Sequence, residues 1–287
     1  MGEAVDALSV YRAKLFAIAY RMLGSAADAE DVLQDAWLRM HSVDDIANAE
    51  AWLTTTVSRL CIDRLRSARR QHEMYVGPWL PEPVITAIDE PDPQSISLAF
   101  LVMLERLSPL ERAVLLLHDV FDYEYAEIAQ MLESSEAAVR QLRHRAHTHV
   151  SDAQLRFAPS KEAHERLLLG FVGACQAGDV ATIAAMLAAD ARAVTDGGGK
   201  VRAARNVVLG RDHVARFIAG LVRRGGTDGV VVTLVQVNGW PALLMAVDGM
   251  PSGVVSIETD GALVLAVNLV LNPDKLGALR PSAQTAP

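Results

Sequence analysis

Thiols, basic charge, aromatic rings and long apolar runs are all scarce in this chain. There are two cysteines in 287 residues, Cys61 and Cys175, widely separated and each on the apolar side of a helical pattern. That argues against a disulfide framework or a thiolate metal cluster, so no metal or cofactor is expected. Two buried thiols suit a reducing compartment, and a cytoplasmic protein is the expectation. No apolar run approaches the roughly 20 residues needed to cross a bilayer, and the opening "MGEAVDALSV" is not built like a signal peptide, so no membrane partner is expected. Aromatics make up 5% of the chain while hydrophobic residues reach 51%, alanine prominent among them, which suits a soluble, helix-rich globular protein. Lys and Arg number 27 against 35 Asp and Glu, and a net charge of −8 argues against a freestanding nucleic-acid binder.

The length allows two or three domains. Within it the charge is unevenly placed: acids crowd "DAEDVLQDA", Asp28 to Ala36, while Ser58 to Arg70 holds five arginines and one aspartate. Leu8, Tyr11, Leu15, Ile18 and Met22 recur at helical spacing, and Gly24 stops that helix. Ser25, with Asp28 three residues on, resembles a capping box for a second helix. There Ala29, Val32, Leu33, Ala36, Trp37 and Met40 fill one stripe and leave Asp28, Asp31 and Asp35 on the other side. A third helix is predicted from about Ala49 to His72, with Trp52, Thr56, Leu60 and Leu65 as its apolar side and Arg59, Arg66 and Arg70 as its wet side.

Three prolines and a tryptophan in "GPWLPEPV" open a segment, residues 77–97, that cannot continue a helix and reads as an extended linker. In "SPLE", Ser108 is an N-cap, Pro109 the first helical residue and Glu111 the capping partner of a helix to Val120. A short helix, Tyr125 to Leu132, then the turn "ESS" and a helix from Ser135 to about Val150 make a helix-turn-helix pattern, although Glu133 stands where glycine is usual. Two further helices are expected, Glu162 to Ala177 and Val180 to Ala189, the latter capped by Asp179. After them comes a strand with a glycine turn, "ARAVTDGGGK", and one helix in "RDHVARFIAGLV". Val/Ile/Leu runs separated by Asn238-Gly239, Asp248-Gly249 and Asp260-Gly261 predict an antiparallel meander. Residues 277–287 are expected to be a disordered tail.

Most of these features carry two readings. Arg140, Gln141 and His144 look outward near the N-terminal half of the last helix-turn-helix helix, where Arg and Gln suit bidentate bonds to guanine and adenine; an ordinary solvated helix would look similar. The arginines of the third helix form either a phosphate-tracking surface or a solvated face. Trp52 is a core residue or a stacking platform for an unpaired base. Acids early in the second helix complement its dipole, yet the stripe extends past the first turn and takes in Gln34, as a protein-docking face would. Asp196, Arg211, Asp212, His213, Trp240 and Asn268 are the polar and aromatic groups that could line a C-terminal pocket, beside the greasy run "LVLAVNLVL". Asp212 and His213 lie near a helix start, where capping competes with catalysis.

The blocks "LFAIAYRMLGSAADAEDVLQDAWLRM", "AWLTTTVSRLCIDRLRSARR" and "LSPLERAVLLLHDVFDYEYAEIAQMLESSEAAVRQLRHRAHTHV" resemble, in order, the extracytoplasmic-function sigma factors, promoter-specificity subunits of bacterial RNA polymerase. The resemblance implies two all-α domains, a region-2 bundle over 1–76 and a region-4 helix-turn-helix domain over 98–155. It implies core RNA polymerase and promoter DNA as partners and no catalytic activity. Asp28, Glu30, Asp31, Gln34 and Asp35 match the motif that grips the polymerase. Asn48, Trp52, Arg59, Arg64 and Arg66 fall in the part that opens and reads the −10 element, and Arg140, Gln141 and His144 in the helix that reads −35. "WLPEP" (Trp79, Leu80, Pro81, Glu82, Pro83), "DGGGK" (Asp196, Gly197, Gly198, Gly199, Lys200) and "NPDKL" (Asn272, Pro273, Asp274, Lys275, Leu276) look like signatures of a subgroup with a SnoaL-like α+β extension of the nuclear transport factor 2-like fold, here 161–276. That implies self-regulation without a separate anti-sigma factor, and a small apolar ligand in the extension is a further expectation. The alternative is a ligand-responsive helix-turn-helix regulator, or a SnoaL-like small-molecule enzyme with a DNA-binding appendage. Prolines 81 and 83 would hold Trp79 and Leu80 extended, either for capture by a docking surface or as a plain spacer.

Overall fold

A computed structural model of the chain describes residues 2–43, 45–72, 75–86, 97–151, 160–225 and 229–279. The chain divides into two units, Met1–Met74 with Phe100–Gln154, and Tyr75–Ala99 with Leu155–Pro287. In the first, α1 (Gly2–Leu23) ends at Gly24, whose φ of 68° is costly for residues with a Cβ. Ser25 caps α2 (Ala26–Met40), its hydroxyl accepting the Asp28 N–H at 3.2 Å, and Ala29, Val32, Leu33, Ala36 and Met40 are buried. α3 (Ala49–His72) departs from the expected stripe. Its buried side is Leu53, Val57, Cys61 and Ile62 together with Thr54 and Ser58, and Trp52, Thr56, Leu60 and Leu65 are only half-buried flanks. The buried face is rotated because α3 takes hydroxyls into the core: the Thr54 hydroxyl lies 3.2 Å from that of Tyr123.

Residues 98–151 add α4 (Leu98–Leu104), α5 (Pro109–Asp119), α6 (Tyr125–Met131) and α7 (Glu136–Ser151). The Ser108–Glu111 capping box is present in both directions. Burial works against the Glu111 carboxylate, but the Ser108 N–H and hydroxyl, then His149 and Arg145, hold its carboxyl below the usual range. The turn before α7 contains Glu133 at φ 51°, so the position does have the left-handed geometry that glycine favours. Arg112, 3% exposed, donates to the Leu104 carbonyl at 2.7 and 3.0 Å and to the Met22 carbonyl at 2.7 Å, tying α5 to the end of α1.

The second unit begins with α8 (Lys161–Ala177), closed by Gly178 at φ 68°, and α9 (Val180–Met186), whose first turn is capped by Asp179. The expected continuation of α9 to Ala189 does not occur. Leu187 already belongs to β1 (Leu187–Asp196), because the buried Leu187–Val264 pairing with the last strand outweighs the helix preference of the intervening alanines. β2 (Val208–Leu209), α10 (Arg211–Gly225), β3 (Val230–Val237), β4 (Trp240–Val247), β5 (Met250–Thr259) and β6 (Val264–Val270) follow. The sheet order is β2-β1-β6-β5-β4-β3, antiparallel except for the parallel β1–β6 pair, so the expected meander is present as β3 to β6. Asn238 and Gly239, and likewise Asp248 and Gly249, have positive φ at both central positions of the two-residue turns. Leu168, Phe171, Ile183, Val214 and Ile218 pack on Ala191, Ala193, Ile257, Val267 and Leu269, so the helices cover one sheet face, giving an α+β domain. The expected disorder does not hold for Gly277–Leu279, which form a 3-10 turn with Leu279 buried; residues 280–287 lie outside the described residues.

Candidate functional site

Within the second unit the three short motifs converge on one carboxylate. Asp196 ends β1 with no exposed surface, and four donors reach it: the Tyr75 hydroxyl at 2.5 Å, the Leu80 N–H at 2.9 Å, the Gly198 N–H at 3.1 Å and the Lys275 ammonium at 2.6 Å. Lys275 also donates to the Leu80 carbonyl and lies 4.1 Å from the Trp79 ring centroid and 5.2 Å from that of Tyr75. A largely buried ammonium is tolerable here because a full counter-charge, a carbonyl and two π faces replace most of its water. The Asn272 amide donates to the Tyr75 hydroxyl at 3.0 Å and accepts the Asp274 N–H at 3.1 Å, capping the 3-10 turn Pro273–Lys275 that presents Lys275. Burial first, then the bond to Asp196, pushes the Tyr75 phenol well above its ordinary value. The glycine run has a steric cause: at Gly198, φ 58°, a Cβ would collide with the Asn272 amide, and at Gly199, φ 72°, it would crowd Val76 at 3.1 Å. Lys200 and Asp274 close the rim with an exposed pair at 2.6 Å.

Beyond this cluster the segment crosses to the far side of the sheet. Leu80, Pro81, Glu82 and Pro83 are buried. The Asn238 N–H then donates to the Val84 carbonyl at 2.8 Å and the Thr86 N–H to the Gln236 carbonyl at 3.0 Å, with Ile85 bridged to Val237. Since Asp196 is on β1 and Gln236 on β3, the described half of the linker is a strap tied at both ends and not a free spacer. Residues 87–96 lie outside the described residues. Tyr75 and Asn238 were missed by motif reasoning. Tyr75 precedes the proline segment and carries no motif, whereas Asn238 was visible only as a turn residue.

In the first unit Glu30, Asp31, Gln34 and Asp35 are exposed on α2 and Asp28 is half-buried. A surface groove of about 390 Å³ beside them is lined by Arg12, Glu30, Leu33, Gln34 and Trp37. The acidic and basic faces are not fully segregated. Arg64 turns toward α2, contacting Asp31 at 2.8 Å and Asp28 at 3.2 Å, and Arg12 holds Glu30 through both oxygens at 2.7 and 2.6 Å. Arg59 donates to the Met131 carbonyl at 2.7 Å and pairs with Glu133 at 2.9 Å. Arg66 pairs with Asp63 on its own helix at 3.2 Å. Asn48 caps α3, accepting the Ala51 N–H at 3.0 Å, and Trp52 is half-buried. On α7, Arg140, Gln141 and His144 share one exposed face; Arg140 bonds Glu136 at 2.7 Å and lies 4.8 Å from the Tyr125 ring centroid.

Of the six residues considered for a C-terminal pocket, five are spread over three places. Ala191 and Ala193 face the helices, so by strand alternation Asp196 points to the other face, as does Asn268 beside the helix-facing Val267 and Leu269. Asp212 and His213 are exposed on α10, where the His213 ring nitrogen meets the Leu209 carbonyl at 3.2 Å. The Trp240 ring lies tilted with its centroid 5.3 Å from that of His164, a buried residue of α8 that the sequence motifs did not single out. Both cysteines are buried and free, and burial pushes the Cys175 thiol up to about 12. No described helix is long and apolar enough to cross a membrane.

Known proteins match both halves of this description. A family model for sigma-70 region 2 matches residues 8–71, and one for sigma-70 region 4 matches residues 97–150. The ECF RNA polymerase sigma factor SigJ of Mycobacterium tuberculosis (strain ATCC 25618 / H37Rv) is 39% identical over 288 residues, covering 94% of this chain and 92% of that protein. The probable ECF RNA polymerase sigma factor SigI of Mycobacterium tuberculosis (strain CDC 1551 / Oshkosh) is 31% identical over 282 residues, covering 94% and 93%. The crystal structure of Mycobacterium tuberculosis SigJ has a TM-score of 0.77 to this chain at 38% identity, covering 96% of this chain and 98% of that one.

Proposed function

The chain belongs to the extracytoplasmic-function RNA polymerase sigma factors, and from that premise we propose that it is a self-regulated promoter-selectivity subunit whose SnoaL-like domain sets its activity through the linker strap. It acts in the cytoplasm, carries out no chemistry of its own and works without a separate anti-sigma factor. The acidic face of α2, Asp28, Glu30, Asp31, Gln34 and Asp35, docks on core polymerase. The α3 surface with Asn48, Trp52, Arg59, Arg64 and Arg66 opens and reads the −10 element, and Arg140, Gln141 and His144 of α7 read −35. The observation that carries the regulatory reading is the largely buried Asp196–Lys275 pair, which joins "WLPEP", "DGGGK" and "NPDKL" in one hydrogen-bonded cluster. A linker held at Leu80 and again at Val84–Thr86 has less reach than a free chain of the same length, so its release changes how far region 4 travels from region 2.

Arg59 and Arg64 support a closed free form. Both are satisfied inside the first unit, by the Met131 carbonyl and Glu133 and by Asp28 and Asp31, and both must exchange those partners for DNA phosphates. In-vitro transcription with purified core polymerase tests the whole reading, comparing the full chain with a chain ending before Asn272 and with Lys275→Met. Altered promoter output with unaltered core binding is expected of both variants. Equal output from all three chains would remove the regulatory role. In a pull-down, Asp31→Lys with Asp35→Lys should lose core binding at least ten-fold.

A further inference from the structure

Between Lys200 and Arg224 the sequence has seven basic residues and one acidic, a local charge of +6 in a chain whose net charge is −8. Lys200 is paired with Asp274. Arg202, Arg205, Arg216, Arg223 and Arg224 are exposed, and among the described residues none of them forms an ion pair. Three of these arginines lie on α10. That helix buries Val214, Ala215 and Ile218, and at 100° per residue the opposite side carries Arg216, Gly220 and Arg223, flanked by Asp212, His213 and Arg224. Arg216 and Arg223 sit seven residues apart, about 10 Å along the axis.

Gly220 is the second observation. Glycine is a poor residue for the middle of a helix, and here a Cβ would meet nothing within 4 Å, so packing inside the protein does not call for it. A bare stretch of backbone between arginines lets an external surface approach closely. We propose that this face of α10 is an additional nucleic-acid contact that holds the phosphate backbone of duplex DNA. Duplex DNA presents a negative charge about every 1.7 Å of axis, and the planar guanidinium fork matches phosphate oxygens. The stripe has no aromatic or large aliphatic anchor of the kind that centres a protein interface. Such a contact adds affinity without sequence preference, since phosphates position a protein and bases specify. Only the identification of the duplex as promoter DNA rests on the family reading.

The test uses the full chain, free and assembled with core polymerase, and labelled duplexes of promoter and scrambled sequence. Anisotropy titrations from 50 to 200 mM salt compare the wild type with the combined Arg216→Ala, Arg223→Ala, Arg224→Ala variant and with Gly220→Glu. The triple variant should lower the log–log salt slope by about 2 to 3, equally on both duplexes. Gly220→Glu should weaken both complexes without lowering the thermal midpoint, and core binding should be unchanged. An unaltered slope in both variants overturns the proposal. So does a triple variant that loses core binding while its slope on the free chain stays intact, which would assign the patch to an acidic protein surface. A wild-type chain that never joins core polymerase overturns the family-based function instead, and the free-chain slope still reads α10.

Discussion

Asp196 and Lys275 illustrate how much one buried pair can decide at the residue scale. Lys275 is 12% exposed and Asp196 wholly buried, so removing either partner leaves an uncompensated charge. Lys275→Met should cost about 3 kcal/mol in denaturant unfolding of the C-terminal unit. Adding Asp196→Asn should return part of that loss, and strictly additive effects would deny the coupling. His164 offers a pH test. Burial holds its imidazole below the ordinary value, opposed by the Pro241 carbonyl, so the folded unit keeps it neutral beside Trp240. The unfolded chain then binds a proton more readily, and the stability contributed by the neutral ring is full above about pH 6.5 and lost as pH falls below it. His164→Phe should flatten the dependence of unfolding free energy on pH between 7.5 and 5.5. At this scale the sequence pointed to Asp196, Lys200 and Lys275 through motifs, but Tyr75 was invisible. Nothing in a lone tyrosine announces that it will meet a carboxylate 121 positions away.

Among the elements, those defined by local signals matched expectation. Ser108 with Glu111, Asp179, Gly24 and the Asn-Gly and Asp-Gly turns all act within a few residues of where they stand. Glu133 is the exception that local chemistry would repair. At φ 51° Glu133→Gly should relieve about 1 kcal/mol of backbone strain. Its exposed pair with Arg59 is a minor loss, so the first unit should melt a few degrees higher in calorimetry. Arg112→Leu should do the reverse. It strands the Leu104 and Met22 carbonyls in a buried setting and should cost about 2 to 4 kcal/mol. The apolar face of α3 was misjudged because the predicted stripe placed Thr56 inside and left Thr54 and Ser58 wet. Thr54 and Ser58 are buried instead. The end of α9 was misjudged because alanine-rich residues 187–189 favour a helix locally and a strand only when β6 is beside them.

For the whole molecule, the two units differ in content: one holds nearly all of both sigma-70 region matches, and the other holds the strap and the basic face of α10. Deleting from Asn272 removes Lys275 and the cap that presents it, so the strap should become protease-sensitive near Leu80 in limited digestion while α1–α3 stay protected. Helix starts, turns and caps were determined by the sequence alone, because hydrophobic period and capping act over four residues or fewer, and so was the order of the sigma-factor blocks. The tertiary structure decided the parallel β1–β6 pairing, the face that α3 buries, the partners of Arg59 and Arg64, and the meeting of Leu80 with Asp196 across 116 positions. Those depend on which distant surfaces remove each other from water, a choice made only when the whole chain is in place.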